Sequence, residues 1–335
     1  MAVRMKDIAD DLGVSLMTVS KALRNHSDIS EKTRNRVLKR MRELNYQPDW
    51  IARSMVTGRT FVVGLVLPNL HSFFGQVAKA VAHKLQPLGY QVVISDTEED
   101  GEVERRHVDV LVNRRVDGLI IASAQRKGRL DLFRMLDRNK IPYVLIDRML
   151  TGAGANYVGV KDDELGAMAT EHLIAQGCRR VAHIRGPAVA TGLGRLRGYR
   201  RALARRGLTP NPAYISSGPY GDNTGYDSMR ELLRVNPHPD GVFCYNDHTA
   251  AGAMKAILEA NLRVPEDIAV IGAGNVRYSD LLRVPLSTID QSCSTIGETA
   301  ADLLVNCMDS RKPSPARHIL IPPRLVVRAS SRRKE

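Results

Sequence analysis

Two short amphipathic segments open the chain. In VRMKDIADDLGVSLMTVSKALR (3–24), Met5, Ile8, Ala9 and Leu12 fall at i, i+3, i+4 and i+7, the spacing of one helical face. Gly13 stands where a left-handed residue ends a helix. Ser15 can then cap a second helix whose inward face is Val19, Ala22 and Leu23. The pair predicts a helix-turn-helix, whose second helix can enter a DNA major groove. A third helix is expected from about Glu31 to Leu44, capped by Ser30, with Val37, Leu38, Met41 and Leu44 inward. Its outer face, Lys32, Arg34, Arg36, Lys39, Arg40 and Arg42, fits either a solvated surface or one turned to phosphates. Pro48 breaks this helix, Asp49 can cap WIARSMV (50–56), and Gly58 can end it. A helix that short forms only against a partner.

From Phe61 the periodicity changes. Apolar runs at 61–68, 90–97, 116–123, 142–147, 179–186, 241–247 and 268–274 alternate with helical stretches near 74–88, 100–114, 163–176, 194–206, 222–235 and 247–260. This is the pattern of a parallel α/β fold with helices covering both faces of its sheets. Polar and turn residues gather at the strand ends: Asn69 to Phe74, Asp147-Arg148, a loop ending in Thr191 to Arg195, Asn246-Asp247 and Asp290-Gln291. Folds of this class bind ligands there, so two strand groups facing one cleft would form a polar small-molecule site.

With 335 residues, the chain suits a small domain joined to a two-lobed body. It holds no apolar run near 18 residues and starts with no apolar leader, so no membrane span and a cytoplasmic location are expected. The formal net charge of +13 favours a polyanionic partner. Cys178, Cys244, Cys293 and Cys307 are isolated and read as buried, reduced thiols. No nucleotide-binding, hydrolase or metalloprotease motif occurs, so neither an enzyme, a cofactor nor a metal is expected.

Taken in order, DIADDLGVSLMTVSKAL, NYQPDWIARSM and YNDHTAAGAMKAI resemble motifs of the lactose-repressor/galactose-repressor family of bacterial transcription regulators, and the resemblance runs from about residue 3 to 328. It implies a helix-turn-helix domain at 1–48 and a hinge helix with linker at 49–59. A two-lobed, periplasmic-binding-protein-like effector and dimerisation domain of parallel sheets follows at 60–330. The N-lobe would be about 60–160 plus 291–320, the C-lobe about 161–290 plus 321–330, and 331–335 a solvated basic tail.

The same resemblance assigns base reading to Leu16, Met17 and Lys21, with Met55 as a minor-groove wedge from the hinge. Lys21 can donate to guanine, whereas Leu16 and Met17 could discriminate only through a thymine methyl or DNA shape. Thr18, Ser20, Asn25, Ser30, Thr33, Tyr46 and Arg53 match phosphate-holding positions. Phe73, Phe74, Asp147, Thr191, Arg195, Tyr220, Asn246 and Gln291 match positions that line the effector cleft, with Phe74 reading equally as core. Relatives carry an acidic residue after the strand matching IAVIGAG, where this chain has Gly274-Asn275.

The implied function is a dimeric regulator, most often a repressor, on a pseudo-palindromic operator. Its affinity would be set by a sugar or related metabolite, with the sign of the ligand effect left open. An activator of the same family, a binding protein without a DNA role, and an enzyme on a doubly wound sheet are the alternatives. Residues 1–58 argue against the second, and the missing catalytic motifs against the third.

Overall fold

The computed structural model describes residues 3–23, 26–46, 54, 57–125, 128–216, 221–310 and 315–333. Asn25, Arg53, Met55 and Tyr220, and the segment around Trp50, lie outside them. Contacts divide the chain into two units, Met1–Thr60 and Phe61–Glu335.

In the first unit, local sequence sets each helix boundary. Helix α1 (Met5–Leu12) ends on Gly13 at φ 62°, helix α2 covers Leu16–Leu23, and helix α3 covers Glu31–Glu43. Ser15 Oγ accepts from the Thr18 N–H at 3.0 Å and Ser30 Oγ from the Thr33 N–H at 3.2 Å, which satisfies amide groups that a helix start leaves open. Ile8, Ala9, Val19, Ala22, Val37 and Met41 form the core between the three helices.

The second unit is built on two sheets. The N-lobe sheet contains β1 (Val62–Leu67), β2 (Gln91–Asp96), β3 (Gly118–Ile121), β4 (Tyr143–Ile146), β5 (Asn156–Gly159) and β11 (His318–Leu320), in the order β11-β5-β4-β3-β1-β2. The C-lobe sheet contains β6 (Val181–Ile184), β7 (Ile215–Ser216), β8 (Gly241–Cys244), β9 (Ala269–Ala273), β10 (Ser287–Asp290) and β12 (Arg324–Val326), in the order β12-β10-β9-β8-β6-β7. All pairs are parallel except β10 with β12, an antiparallel edge that the parallel expectation did not include.

The helices of this unit are α4 (Ser72–Leu85), α5 (Gly101–Asn113), α6 (Asp131–Arg138), α7 (Asp162–Ala175), α8 (Ala190–Arg205), α9 (Thr224–Leu232), α10 (Asp247–Glu259) and α11 (Cys293–Asp309). Along β1, Val63, Leu65 and Leu67 pack towards α4 and α11, while Val66 packs with Val108, Leu111 and Phe133 on the opposite face. Both faces of the strand are thus apolar, as its unbroken run requires. The chain passes between the lobes three times, after β5, after β10 and between β11 and β12.

Three features differ from the sequence expectations. Helices α6 and α11 and strands β5, β7, β11 and β12 are additional. Thr191 to Arg195 lie within α8, not in a loop before it, because the helix starts at Ala190. The C-terminal segment is pinned as far as Arg333. Ser330 and Ser331 are buried, Ser330 Oγ donates to the Val270 carbonyl at 2.7 Å, and Arg333 Nε donates to the Pro265 carbonyl at 3.1 Å.

Helices α7 and α8 approach closely because glycine sits at their crossing. A Cβ at Gly166 would overlap the Arg195 carbonyl, and one at Gly198 the Asp163 carbonyl. Backbone cannot yield as a side-chain tip does. Gly198→Ala is therefore expected to destabilise the body by about 1–3 kcal/mol, read as a lower urea midpoint at unchanged slope.

Candidate DNA interface and effector cleft

On α2, Leu16 and Met17 are 52% and 60% exposed although both are large and apolar. The core takes Val19, Ala22 and the half-buried Leu23 from this helix, and the pair is left outward at its N-terminus. One turn on, Lys21 forms an ion pair with Asp28, whose carboxyl is held below its usual value first by that hydrogen bond. The bond to Asp28 uses one of the three donors of the Lys21 ammonium.

The hydroxyls of Thr18, Ser30 and Thr33 sit at helix starts, Ser15 with Thr18 at 2.9 Å and Ser30 with Thr33 at 2.9 Å. Ser20, within α2, and Tyr46, just past the end of α3, are half-buried. The basic face of α3 is partly internal. Arg40 pairs with Asp11 and Glu43, Arg36 donates to the Leu12 carbonyl at 3.3 Å, and Arg34 donates to the His26 carbonyl at 2.7 Å. Half of that face therefore closes its own unit.

In the body, a cavity of about 40 Å³ lies between the lobes, lined by Phe73, Phe74, Asp147, Arg195, Asn246 and Gln291 together with Glu99, Arg148, Tyr245 and Tyr278. At about 10–15 Å³ per molecule it holds about three or four waters, so anything larger enters only when the lobes or side chains move. Thr191 does not reach the cavity. It is buried behind Tyr245, and the two hydroxyls lie 2.8 Å apart. Phe74 is both, buried in the N-lobe core and exposed to the cavity along one edge.

Two buried arginines organise the walls. Arg195, on α8, donates from Nε to Asp162 at 2.9 Å, from Nη1 to the Tyr245 carbonyl at 2.6 Å and from Nη2 to Gln291 Oε1 at 3.0 Å, and its guanidinium lies 4.6 Å from the Tyr245 ring centre. Burial works against its charge, and Asp162, Tyr245 and Asp147 more than restore it, so its pKa is held above the ordinary value. Burial also raises Asp162, to about 6. Arg148, from β4, grips Glu99 with both terminal nitrogens at 2.7 Å.

Between these arginines stands Asp147, buried and left-handed at φ 58°, its carbonyl fixed by the Tyr157 hydroxyl at 2.9 Å. Burial pushes its carboxyl up, and Arg195 and Arg148 pull it back in part. Among the described residues its one ion pair is with Arg148 Nε at 3.8 Å, so it keeps acceptor capacity towards the cavity. Gly274, at φ 136°, leaves no side chain there. A Cβ would lie 3.5 Å from Asp247 Oδ2, a buried carboxylate that already accepts from the Val276 N–H at 2.9 Å and the Ser279 hydroxyl at 2.8 Å. A second acid at 274 would face that charge. Asn275 instead accepts from Arg328 at 2.9 Å.

Glu99, Asp162 and Tyr245 were not among the residues singled out from sequence. The signal for the first two was Arg148 and Arg195 themselves, since a buried cation needs a partner.

Behind Arg148, the buried Glu104 accepts from the Ala124 N–H and from the Ser123 hydroxyl at 2.8 Å, and burial raises its carboxyl from 4.5 to about 7. The folded state thus binds more protons than the unfolded state between these values, and stability falls as pH rises through them. The wild type is expected to lose on the order of 3 kcal/mol more than Glu104→Gln between about pH 4 and pH 8, measured by urea unfolding at both ends.

Comparison with known proteins finds relatives of both units. Residues 4–49 match the description "Bacterial regulatory proteins, lacI family", and residues 170–331 match a periplasmic binding protein-like domain. The chain is 32% identical over 329 residues to the HTH-type transcriptional repressor PurR of Pasteurella multocida, covering 97% of this chain and 98% of the relative. It is 33% identical over 307 residues to the ribose operon repressor of Escherichia coli K12, covering 90% and 92%. The lac repressor dimer bound to operator and the anti-inducer ONPF superposes with a TM-score of 0.84 at 27% identity, covering 99% of each chain. The chain therefore belongs to the lacI family of bacterial regulatory proteins, DNA-binding transcription regulators and not enzymes.

Proposed function

We propose that this regulator is a cytoplasmic repressor that binds a pseudo-palindromic operator as a dimer and is switched by a small, hydroxyl-rich metabolite held between the lobes. The observation that carries the ligand class is the pairing of Asp147 from one lobe with Arg195 and Gln291 across the same cavity, beside the Phe73 and Tyr245 rings. A carboxylate and a guanidinium accept from and donate to hydroxyls, and an aromatic face covers a ring. The name of the ribose operon repressor supports a sugar. Because the cavity is too small for a sugar as it stands, the ligand enters only with movement of lobes or side chains, and lobe movement would give it leverage over the paired bodies.

For the DNA contacts, Leu16, Met17 and Lys21 would read bases, and Thr18, Ser20, Asn25, Ser30, Thr33, Tyr46 and Arg53 would hold phosphates, with Met55 as the wedge. Leu16 and Met17 can sense only methyl groups and groove shape, so the preferred operator should carry thymine at the positions they meet. Leu16→Ala with Met17→Ala is expected to relax that preference when operators are selected from random DNA. Binding to non-specific DNA, set by phosphate contacts, should change less than twofold. An unchanged selected sequence would remove the pair from base reading.

Two exposed apolar faces support a dimer. Leu281 is 75% exposed beside Leu258, Leu282 and Val284 on the C-lobe. On the N-lobe, Val93 and Ile94 are exposed on β2, the edge strand of its sheet. Patches and edges of this kind are ordinarily covered. Leu281→Asp should shift the protein towards monomer in sedimentation and weaken operator binding, since a monomer grips one half-site. A variant that stays dimeric would place the interface elsewhere.

A further inference from the structure

At the mouth of the cleft stands a group of side chains to which the effector reading assigns no role, although two of them, His71 and His248, line the edge of the same cavity. His71 precedes α4 on the N-lobe, while Asp222 and His248 flank the starts of α9 and α10 on the C-lobe. His71 Nε2 lies 3.4 Å from Asp222 Oδ1, and the rings of His71 and His248 are 4.8 Å apart at 30°. One ligand atom from each of the three residues falls within 4.8 Å of the others. His71 and Asp222 are exposed and His248 is half-buried, so an ion reaches them from solvent.

Two imidazoles and a carboxylate, with an open fourth position for water, are a ligand set that suits Zn²⁺ and its neighbours Co²⁺ and Ni²⁺. At bond lengths of 2.0–2.1 Å, tetrahedral ligand atoms stand about 3.4 Å apart. The His71–Asp222 pair already meets that spacing. The other spacings, up to 4.8 Å, close by about 1.4 Å or less through movement of the exposed His71 and Asp222 side chains towards His248.

The ligands come from opposite lobes. An ion held by all three prefers the closed cleft to the open one, because opening removes His71 from its reach. We propose that His71, Asp222 and His248 form a divalent transition-metal clamp that bridges the lobes and holds the cleft closed. The test of the clamp needs neither operator nor effector.

The metal-free full chain is titrated with Co²⁺, and the visible absorption that strengthens in four-coordinate Co²⁺ is followed, with Zn²⁺ as competitor. One Co²⁺ per chain is expected, displaced by Zn²⁺, and Zn²⁺ should raise the thermal midpoint. His71→Gln, His248→Gln and Asp222→Asn should each weaken Co²⁺ binding at least tenfold and abolish the Zn²⁺-dependent rise. These positions lie outside the core, and circular dichroism checks that each variant folds. Equal binding by wild type and the His71→Gln/His248→Gln double variant would put the metal elsewhere among the nine histidines and overturn the proposal. No Co²⁺ signal in the wild type would also overturn it. Full affinity in His71→Gln alone would confine the ion to one lobe and overturn the clamp.

Discussion

Everything in the cleft depends on keeping the Arg195 guanidinium charged where water hardly reaches it. A buried cation without partners costs several kcal/mol, so the surrounding chain supplies them from distant places: Asp162 at the start of α7, the Tyr245 carbonyl at the end of β8, and Gln291 at a lobe crossing. These contacts tie the lobe crossing to the C-lobe wall. Removing the arginine would strand Asp162, so a change here disturbs folding as well as ligand binding. Arg148 with Glu99 repeats the solution on the N-lobe. Each lobe thus presents a finished, internally paired wall, and Asp147 is the carboxylate left with capacity to spare.

The DNA-binding unit was legible because its determinants are local. A 3.6-residue spacing, a glycine stop at Gly13 and serine caps at Ser15 and Ser30 act within one turn, and the helices begin and end where they direct. The central strands were legible for a different reason, since burial on both faces leaves unbroken apolar runs such as VVGLVL. Strands β5, β7, β11 and β12, all but β5 at a sheet edge, are two to four residues long and carry no such run. Helix α11 opens with Cys, Ser, Thr, Ile and Gly, weak helix formers whose place is set by tertiary packing of Gly297 against α4.

In the cleft, strand-end position marked Phe73, Phe74, Asp147, Arg195, Asn246 and Gln291, all of which line the cavity. It misplaced Thr191, because a helix starting four residues early turns that hydroxyl towards Tyr245. Partners such as Glu99 and Asp162 lie 49 and 33 residues from the arginines they neutralise. No spacing rule spans such a gap, although the need for a partner was readable from the charge alone. The same holds for the tail, where Arg333 looked solvated until Pro265 and Asp240 supplied carbonyls to it.

The glycines at the crossing of α7 and α8 bear on how such a protein can diversify. Gly166 and Gly198 let two backbones touch, so Asp162 and Arg195 travel as one inflexible block. A descendant that acquires a new ligand cannot do so by nudging this block sideways, because no larger residue fits beneath it. Novelty must come from the opposite wall, where Asn69 and Phe73 stand on a loop and a helix start with room to change. The C-lobe wall acts as a fixed anvil, and the N-lobe wall is where selection can reshape specificity.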